Sequence, residues 1–175
     1  NGAVASFTYG NGIQHTMTQN VRGLPEWSTD AGVLRDNYLY DKNANVTFIL
    51  DYQEGISNRG MTYDNLDRLT QVDSATQWGG ASYTYDALDN LTSTYLVSGA
   101  TARSTTHTYS TVTNRLTNIA SGNAAYNLAL TYDTRGNVTQ RGSQAFVFDR
   151  GNRMSSATGK GTYTYDGGGR RVSTV

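Results

Sequence analysis

A short phrase recurs seven times along the chain, and this repeat constrains the fold more than any other feature. Its central position is aromatic, an Asp follows in six of the seven copies, and Asn or Arg stands five residues after the aromatic. Successive central aromatics are separated by 23, 22, 24, 23, 16 and 17 residues. Self-similarity with a period in this range is the signature of a repeat array. The sequence therefore predicts one supersecondary unit, copied many times.

The motif residues form a short set in each copy. They are Tyr40 and Asp41; Tyr63, Asp64 and Arg68; Tyr85, Asp86 and Asn90; Tyr109, followed by Ser110; Tyr132, Asp133 and Asn137; Phe148, Asp149 and Arg153; and Tyr165, Asp166 and Arg170. Two more degenerate units, FTYGNGI at 7–13 and TQNVRGL at 18–24, are predicted to precede them.

The spacing within each copy predicts a β-hairpin. An apolar residue, a tyrosine or a histidine stands two positions before the central aromatic, and a spacing of two places both side chains on one face of a strand. An aliphatic residue six positions after the aromatic is expected to lie opposite it and begin the return strand. The three-residue loop between them needs a left-handed residue at its last position, the fourth after the aromatic. Five copies have Gly, Asn or Asp there, whereas the other two have Ala44 and Thr113.

Further structural expectations follow from the same pattern. The copies around Tyr109 and Tyr165 are expected to carry one extra turn residue, and the short spacings near the C-terminus predict trimmed connections. Segment 22–34, with Pro25 and Trp27, resembles the repeat least and is expected to form a longer loop.

The motif Asp is expected to cap its turn. An exposed Asp–Arg pair contributes only ~0–1 kcal/mol, whereas burial of a large apolar side chain contributes ~1.5–3 kcal/mol. A stack of tyrosines is therefore expected to hold the array together.

Composition excludes several classes of function. The chain has 14 basic and 14 acidic residues, so it has no net charge with which to attract nucleic acid. It has no cysteine, and its two histidines are 92 residues apart, which speaks against a metal site or a disulfide framework. No apolar run approaches the ~18 residues of a membrane span. We predict no cofactor, no metal, no nucleic-acid partner and no membrane span.

Two sets of residues invite a chemical interpretation. The pairs Asp64/Asp67 and Asp86/Asp89 look like the paired carboxylates of glycosidases, but they fall inside the turn motif, which accounts for them. We therefore predict a non-catalytic protein. Aromatic residues outside the motif, foremost Trp27, Trp78 and Tyr95, are candidates for a surface platform that binds sugar.

Tandem units of this kind resemble the YD repeats of the RHS proteins. The resemblance covers roughly residues 7–175, and it is carried most specifically by YTYDALDNLTSTY at 83–95, LTYDTRGNVTQRG at 130–142 and YTYDGGGRRVS at 163–173. In that family, which includes the C components of insecticidal toxin complexes and the animal teneurins, the repeats form a β-sheet strip that spirals into a hollow shell. In the bacterial toxins the shell surrounds a toxic C-terminal domain. The self-cleavage motif and the toxin domain have no counterpart in this sequence.

The resemblance implies an all-β fold of tandem antiparallel hairpins, a curved strip or solenoid that forms part of a hollow shell. We interpret 1–175 as a single repeat domain excised from a longer bacterial protein that is secreted or displayed on the cell surface. The expected role is a structural wall that helps to encapsulate a toxic domain, with the rest of the parent chain and the cargo as partners. The alternative is a repeat module that binds carbohydrate or a surface protein, and a repeat-scaffold hydrolase is a remote third. Free sheet edges also predict edge-to-edge self-association.

Overall fold

The computed structural model describes residues 4–74, 79–97 and 102–175, and it consists of antiparallel β-strands, as the sequence predicts. The strands are β1 (Ser6–Thr8), β2 (Gln14–Gln19), β3 (Pro25–Asp30), β4 (Leu34–Tyr40), β5 (Val46–Asp51), β6 (Arg59–Tyr63), β7 (Leu69–Ser74), β8 (Gly79–Tyr85), β9 (Leu91–Val97), β10 (Arg103–Tyr109), β11 (Leu116–Ser121), β12 (Leu128–Tyr132), β13 (Val138–Arg141), β14 (Gln144–Phe148), β15 (Met154–Ala157), β16 (Gly161–Tyr165) and β17 (Arg171–Thr174). One 3₁₀ turn, Ala124–Tyr126, is the helical structure in the described residues.

The chain divides into two compact units, Asn1–Arg103 and Ser104–Val175. In the first unit, strands β1 to β9 follow one another, and each pairs antiparallel with the next in sequence. In the second unit, β10 to β17 pair in the same sequential way. The expectation of a single domain over 1–175 stays a prediction.

The predicted hairpin register is confirmed in five of the seven motif copies, whereas Tyr109 lies opposite Leu116, seven positions on. In the five, Tyr40 lies opposite Val46, Tyr63 lies opposite Leu69, and the pairing recurs in the copies of Tyr85, Tyr132 and Phe148. At each of these pairs the register shifts by one residue, which is the bulge that a three-residue loop requires. The Tyr165 copy has Arg171 at the position that an aliphatic residue fills elsewhere.

The left-handed residue lies at the predicted position in six copies. Asp67, Asp89, Asn152, Gly136 and Gly169 adopt a positive φ, and so does Ala44, at 72°. The Tyr109 copy is different, because Asn114 rather than Thr113 adopts the positive φ, and the loop is one residue longer, as expected. The extra residue expected in the Tyr165 copy was wrong: the Asp166 N–H bonds the Arg170 carbonyl, as in the ordinary three-residue loop.

The two degenerate units also form hairpins. The single long loop expected at 22–34 was wrong, because much of this segment is a paired strand. Gly12 and Gly23 take the left-handed positions of the two early turns. Residues 25–30 form β3, which pairs with β2 and β4 on its two sides. Pro25 is the first residue of that strand, where the missing N–H costs no ladder bond. The lone proline was therefore misinterpreted as a sign of irregular structure.

The strands have one half-buried face and one more exposed face. In all seven copies the central aromatic is half-buried, and the residue just before it is exposed, as the period of two predicts. In the described part of the chain, Ala81 and Ala157 are the apolar residues that are fully buried. Strands make extensive contacts with their neighbours in the sequence, and among the described residues of either unit no second layer covers them. Each ring therefore gains less than the full ~1.5–3 kcal/mol of complete burial.

The connections opposite the motif turns account for the change in repeat length. Residues 52–58 form a long loop between β5 and β6, and residues 122–127 form another between β11 and β12. In contrast, Arg141 lies directly opposite Gln144, and Ala157 lies opposite Gly161. The trimmed C-terminal connections predicted from the 16- and 17-residue spacings are thus confirmed.

The left-handed Ala44 is a site of local strain that a substitution relieves. A left-handed conformation costs an L-residue roughly 1–2 kcal/mol, and glycine avoids this cost. We therefore expect Ala44→Gly to raise the free energy of unfolding by about 1 kcal/mol, measured by urea denaturation. Ala87→Gly is the matched control, because Ala87 is an exposed residue of the Tyr85 turn without a positive φ. An Ala44→Gly variant that is no more stable than Ala87→Gly would contradict the turn assignment.

Candidate functional site

The motif aspartates hold their turns together through two oxygens with different roles. In each of the six Asp-containing copies, Oδ1 accepts the backbone N–H groups of the second and fourth residues that follow. For Asp64 these bonds measure 2.9 Å from Leu66 and 3.0 Å from Arg68. Oδ2 accepts the side chain of the Asn or Arg in five copies, for example Asn45 Nδ2 at 3.0 Å from Asp41. The predicted capping role of the Asp is therefore visible atom by atom.

These hydrogen bonds favour the charged form of the carboxyl groups. The bond from the Asn45 side chain holds the pKa of Asp41 below its ordinary value, and Arg68, Asn90 and Asn137 act likewise on the Asp of their own copies. For Asp149 the main cause of the lowered pKa is the backbone N–H of Arg153. The turns thus stabilise carboxylates, because each charged oxygen meets several donors.

In five copies the central tyrosine connects its hairpin to the one before it. The Tyr63 hydroxyl donates to the Val46 carbonyl at 2.9 Å, and the Tyr85 hydroxyl donates to the Leu69 carbonyl at 2.8 Å. The same bond recurs in other copies, from Tyr40 to Pro25, from Tyr132 to Leu116 and from Tyr165 to Met154, at 2.7–2.8 Å. The acceptor is always the first residue of the preceding return strand. Burial raises the pKa of Tyr40 and Tyr63, which keeps these hydroxyl protons in place.

In five copies the Arg or Asn connects its turn to the next turn of the same unit. Arg68 Nη1 donates to the Asp86 carbonyl at 2.9 Å and to Asp89 Oδ1 at 2.8 Å, both in the following turn. Asn45 Nδ2 similarly reaches Asp67 Oδ1 at 2.7 Å. Where the left-handed residue is Asp67, Asp89 or Asn152, it therefore has a second role, since its side chain accepts the donor from the preceding copy. We call this set of turn-to-turn and tyrosine-to-carbonyl bonds the repeat ladder.

The predicted stack of tyrosine rings was wrong in its geometry. In the described part of the chain the ring–ring contacts lie elsewhere, such as Phe7 with His15 and Trp27 with Tyr52. Where the motif has Arg, its guanidinium instead lies over the central ring of the next copy. The Cζ atoms of Arg68, Arg115 and Arg153 lie 4.8, 5.5 and 5.1 Å from the ring centres of Tyr85, Tyr132 and Tyr165, respectively. Such contacts are worth about 0.5–1 kcal/mol at exposed sites.

The candidate sugar platform is not brought together as a single surface. Trp27 lies 5.0 Å from the ring of Tyr52, and Arg35 lies 5.0 Å from Trp27 and 5.8 Å from Tyr52. Tyr95, half exposed, belongs to β9, six strands away from β3, or roughly 29 Å at the usual strand spacing. Trp78 lies outside the described residues. A binding role for these aromatics stays a prediction.

The paired carboxylates lie in the ladder. Asp67 accepts from Asn43 and Asn45, and Asp89 accepts from Arg68, so each pair has a structural partner. Among residues 4–74, 79–97 and 102–175, no three metal-binding side chains come close enough to share an ion. The same residues contain no helix with the length and apolarity that a membrane crossing requires.

Comparison with known proteins identifies the repeat. The sequence model described as "Teneurin YD-shell" matches residues 31–174, which is most of the chain. The chain belongs to the teneurin YD-shell family. A search of curated protein sequences finds no match.

Solved structures share the YD-shell fold. A crystal structure of TcdB2-TccC3-Cdc42 aligns with a TM-score of 0.61 and 15% identity over 95% of this chain. A Photorhabdus luminescens Tc holotoxin pore with the mutation TccC3-D651A aligns with a TM-score of 0.62 and 15% identity over 97%. A crystal structure of TcdB2-TccC3 aligns with a TM-score of 0.61 and 16% identity over 95% of this chain. The chain spans only 11–12% of the length of these structures.

Several residues of the YD-shell ladder were not identified in the sequence. Arg115, not Asn114, takes the Arg position of the Tyr109 copy, because the loop there is one residue longer. The sequence did contain a signal for this shift, because the interval from Tyr109 to Leu116 is seven residues rather than the six of other copies. Arg22 and Arg135 also reach the carbonyls of the following turn, Asp41 and Asp149. They stand outside the motif positions, so the pattern contained no signal for them.

The tyrosine-to-carbonyl bond provides a reciprocal test within the YD-shell repeats. Tyr63→Phe removes the hydroxyl that bonds Val46, so we expect the free energy of unfolding to fall by about 1 kcal/mol. The Phe148 copy naturally lacks the hydroxyl, and Val138 occupies the acceptor position before it. Phe148→Tyr is therefore expected to raise stability by a similar amount. Both are measured by urea denaturation, and equal signs for the two substitutions would refute the ladder bond.

Proposed function

We propose that this chain is a non-catalytic wall segment of a hollow β-shell that encloses a toxic C-terminal domain of its parent protein. The observation that carries this proposal is the repeat ladder. Within each unit, neighbouring copies bind one another through a few recurring contacts, so a strip of such hairpins can grow by repetition. A wall of this kind needs length and regularity rather than a reactive centre.

The relatives support the same role. The family is described as a shell, and the structural neighbours are components of the TcdB2-TccC3 and Tc holotoxin assemblies. From these we infer a toxin as the parent protein, with the remainder of the parent chain and the enclosed domain as partners. We further propose that the parent protein is secreted or displayed on the bacterial surface.

The thin, half-buried face fits a wall better than a self-contained domain. The central rings remain partly exposed on one side of each unit, and within each unit no layer built from residues 4–74, 79–97 or 102–175 covers them. In a closed shell, the lumen or the cargo meets one face and solvent meets the other. A module that binds carbohydrate or protein is the alternative, favoured by the exposed Tyr52 beside Trp27 and Arg35.

The test uses the parent protein, expressed from its complete reading frame. We expect cryo-electron microscopy to show the repeats curved around a lumen, and limited proteolysis to spare the segment downstream of the repeats. The same downstream segment expressed alone is the control, and it should be digested rapidly. An open strip, or equal digestion of the segment in both preparations, would exclude the encapsulating role.

A further inference from the structure

The hairpin that follows Tyr109 departs from the repeat in a way that creates a site. It has Ser110 where the other six copies have Asp. The Ser110 N–H bonds the Arg115 carbonyl at 2.8 Å, which assigns Arg115 to the position that Arg68 and Arg153 hold in their copies. This copy therefore has the arginine of the motif without its carboxylate.

The guanidinium of Arg115 lies against the next turn, as its counterparts do. Its Cζ atom is 5.5 Å from the centre of the Tyr132 ring, and its Nη1 donates to the Asp133 carbonyl at 3.4 Å. Gly136 makes this approach possible, because a Cβ atom there would lie only 2.7 Å from Arg115 Nη2. The arginine is thus held in position by its neighbours, even though it lacks an acidic partner.

The other side of the guanidinium distinguishes this copy. In the Arg68 copy, Nε and Nη2 bind Asp64 Oδ2 at 2.8 and 2.7 Å. In the Arg153 copy the same two atoms bind Asp149 Oδ2, both at 2.8 Å. Arg115 makes no ion pair with any described residue. The donors that hold a carboxylate in the Arg68 and Arg153 copies therefore have no carboxylate partner among the described residues in this copy.

The surroundings of Arg115 are rich in hydroxyl groups. Ser110 accepts only two long backbone bonds, from Val112 at 3.3 Å and Thr113 at 3.2 Å. An open depression of about 560 Å³ lies beside it, within the ~300–1,000 Å³ range of ligand sites. The hydroxyl-bearing residues of its lining are Ser110, Thr113, Thr117, Thr131, Thr134 and Tyr132, whose hydroxyl already donates to the Leu116 carbonyl.

The nearby carboxylate of Asp133 does not exclude an anion here. Its oxygens accept the N–H groups of Arg135 and Asn137 and the Asn137 side chain. Furthermore, the Arg68 copy places Asp64 beside an equivalent next-turn carboxylate, Asp86, and still holds the ion pair. A second anion next to this turn is therefore a regular feature of the ladder.

We propose that Arg115 and the hydroxyl-lined depression beside it bind a hydroxylated carboxylate, the chemical class of acidic sugars. The ligand carboxylate occupies the place that Asp64 and Asp149 fill in their copies and accepts Nε–H and Nη2–H of Arg115. The ligand hydroxyls exchange hydrogen bonds with Ser110 and the threonines of the lining. This site lies apart from the Trp27 platform and does not depend on the shell role.

The test is a titration of the full chain with glucuronate, followed by two-dimensional amide NMR. We expect saturable shifts confined to the hairpin 107–116 and the turn at 133–136. Ser110→Asp supplies the carboxylate from within the chain, and Arg115→Gln removes the donors, so each should weaken binding at least tenfold. Arg153→Gln is the matched control, because the Arg153 guanidinium is already paired with the Asp149 carboxylate. This variant should bind glucuronate as the natural chain does.

Three further titrations identify the chemistry that is recognised. Glucose lacks the carboxylate, acetate lacks the hydroxyls, and a blocked glutamate peptide offers the carboxylate of a protein side chain. We expect all three to bind at least tenfold more weakly than glucuronate. Equal binding of the peptide or acetate would overturn the hydroxyl contribution, and equal binding of glucose would overturn the role of Arg115.

Folding of the variants is separable from binding. Ser110→Asp restores the residue of six other copies, so we expect the β-sheet circular dichroism and the urea midpoint of the natural chain, or a higher midpoint. Undiminished glucuronate binding by this folded variant would refute the proposal, whatever the behaviour of Arg115→Gln. The absence of saturable shifts in the natural chain would refute it equally.

Discussion

A β-sheet without a covering layer cannot depend on a hydrophobic core, so the hairpins must be joined by contacts along the sheet itself. Strand pairing provides part of this connection, as in any antiparallel sheet. The rest comes from the motif, in which a tyrosine hydroxyl reaches back to the preceding hairpin and an Arg or Asn reaches forward to the following turn. Because these bonds join side chains to backbone carbonyls or to turn residues, they fix both the register and the spacing of consecutive copies.

This constraint explains why the motif is conserved between copies in some positions and free in others. The Asp has to satisfy two backbone N–H groups in its own turn, so Ser110 is tolerated only with a longer loop and weaker bonds. The position before the central aromatic faces the exposed side and varies between Thr, Leu and Val. Energetically, half-buried rings gain less than a core would provide. Many small, repeated contacts take its place.

Much of the fold was predictable because the hairpin is a local structure. The interval between Tyr63 and Leu69 fixed the register, and the residues at the fourth position after the aromatic identified the left-handed site. Local rules also located the turn cap at Asp64. Where the rules failed, tertiary context prevailed: Ala44 adopts a positive φ despite its Cβ, and Pro25 begins a paired strand.

The site was harder to predict, because its contacts join residues 11 to 24 positions apart. Nothing in the sequence indicates that the Tyr63 hydroxyl bonds Val46, or that Arg68 lies over Tyr85, until the strands are placed side by side. The aromatic pattern suggested ring stacking, but the strand spacing and the intervening return strand place an arginine, not another ring, beside the tyrosine. Arg115 was missed for a simpler reason, since one inserted residue shifted its place in the motif.

The central claim is that the ladder couples neighbouring hairpins, and native-state hydrogen exchange of Tyr85→Phe tests it most directly. The Tyr85 hydroxyl belongs to the hairpin β8–β9, whereas its acceptor, Leu69, belongs to β6–β7. Coupling predicts that amides of both hairpins exchange faster, by about fivefold for a bond worth ~1 kcal/mol. Faster exchange in β8–β9 alone, with β6–β7 unchanged, would contradict the account.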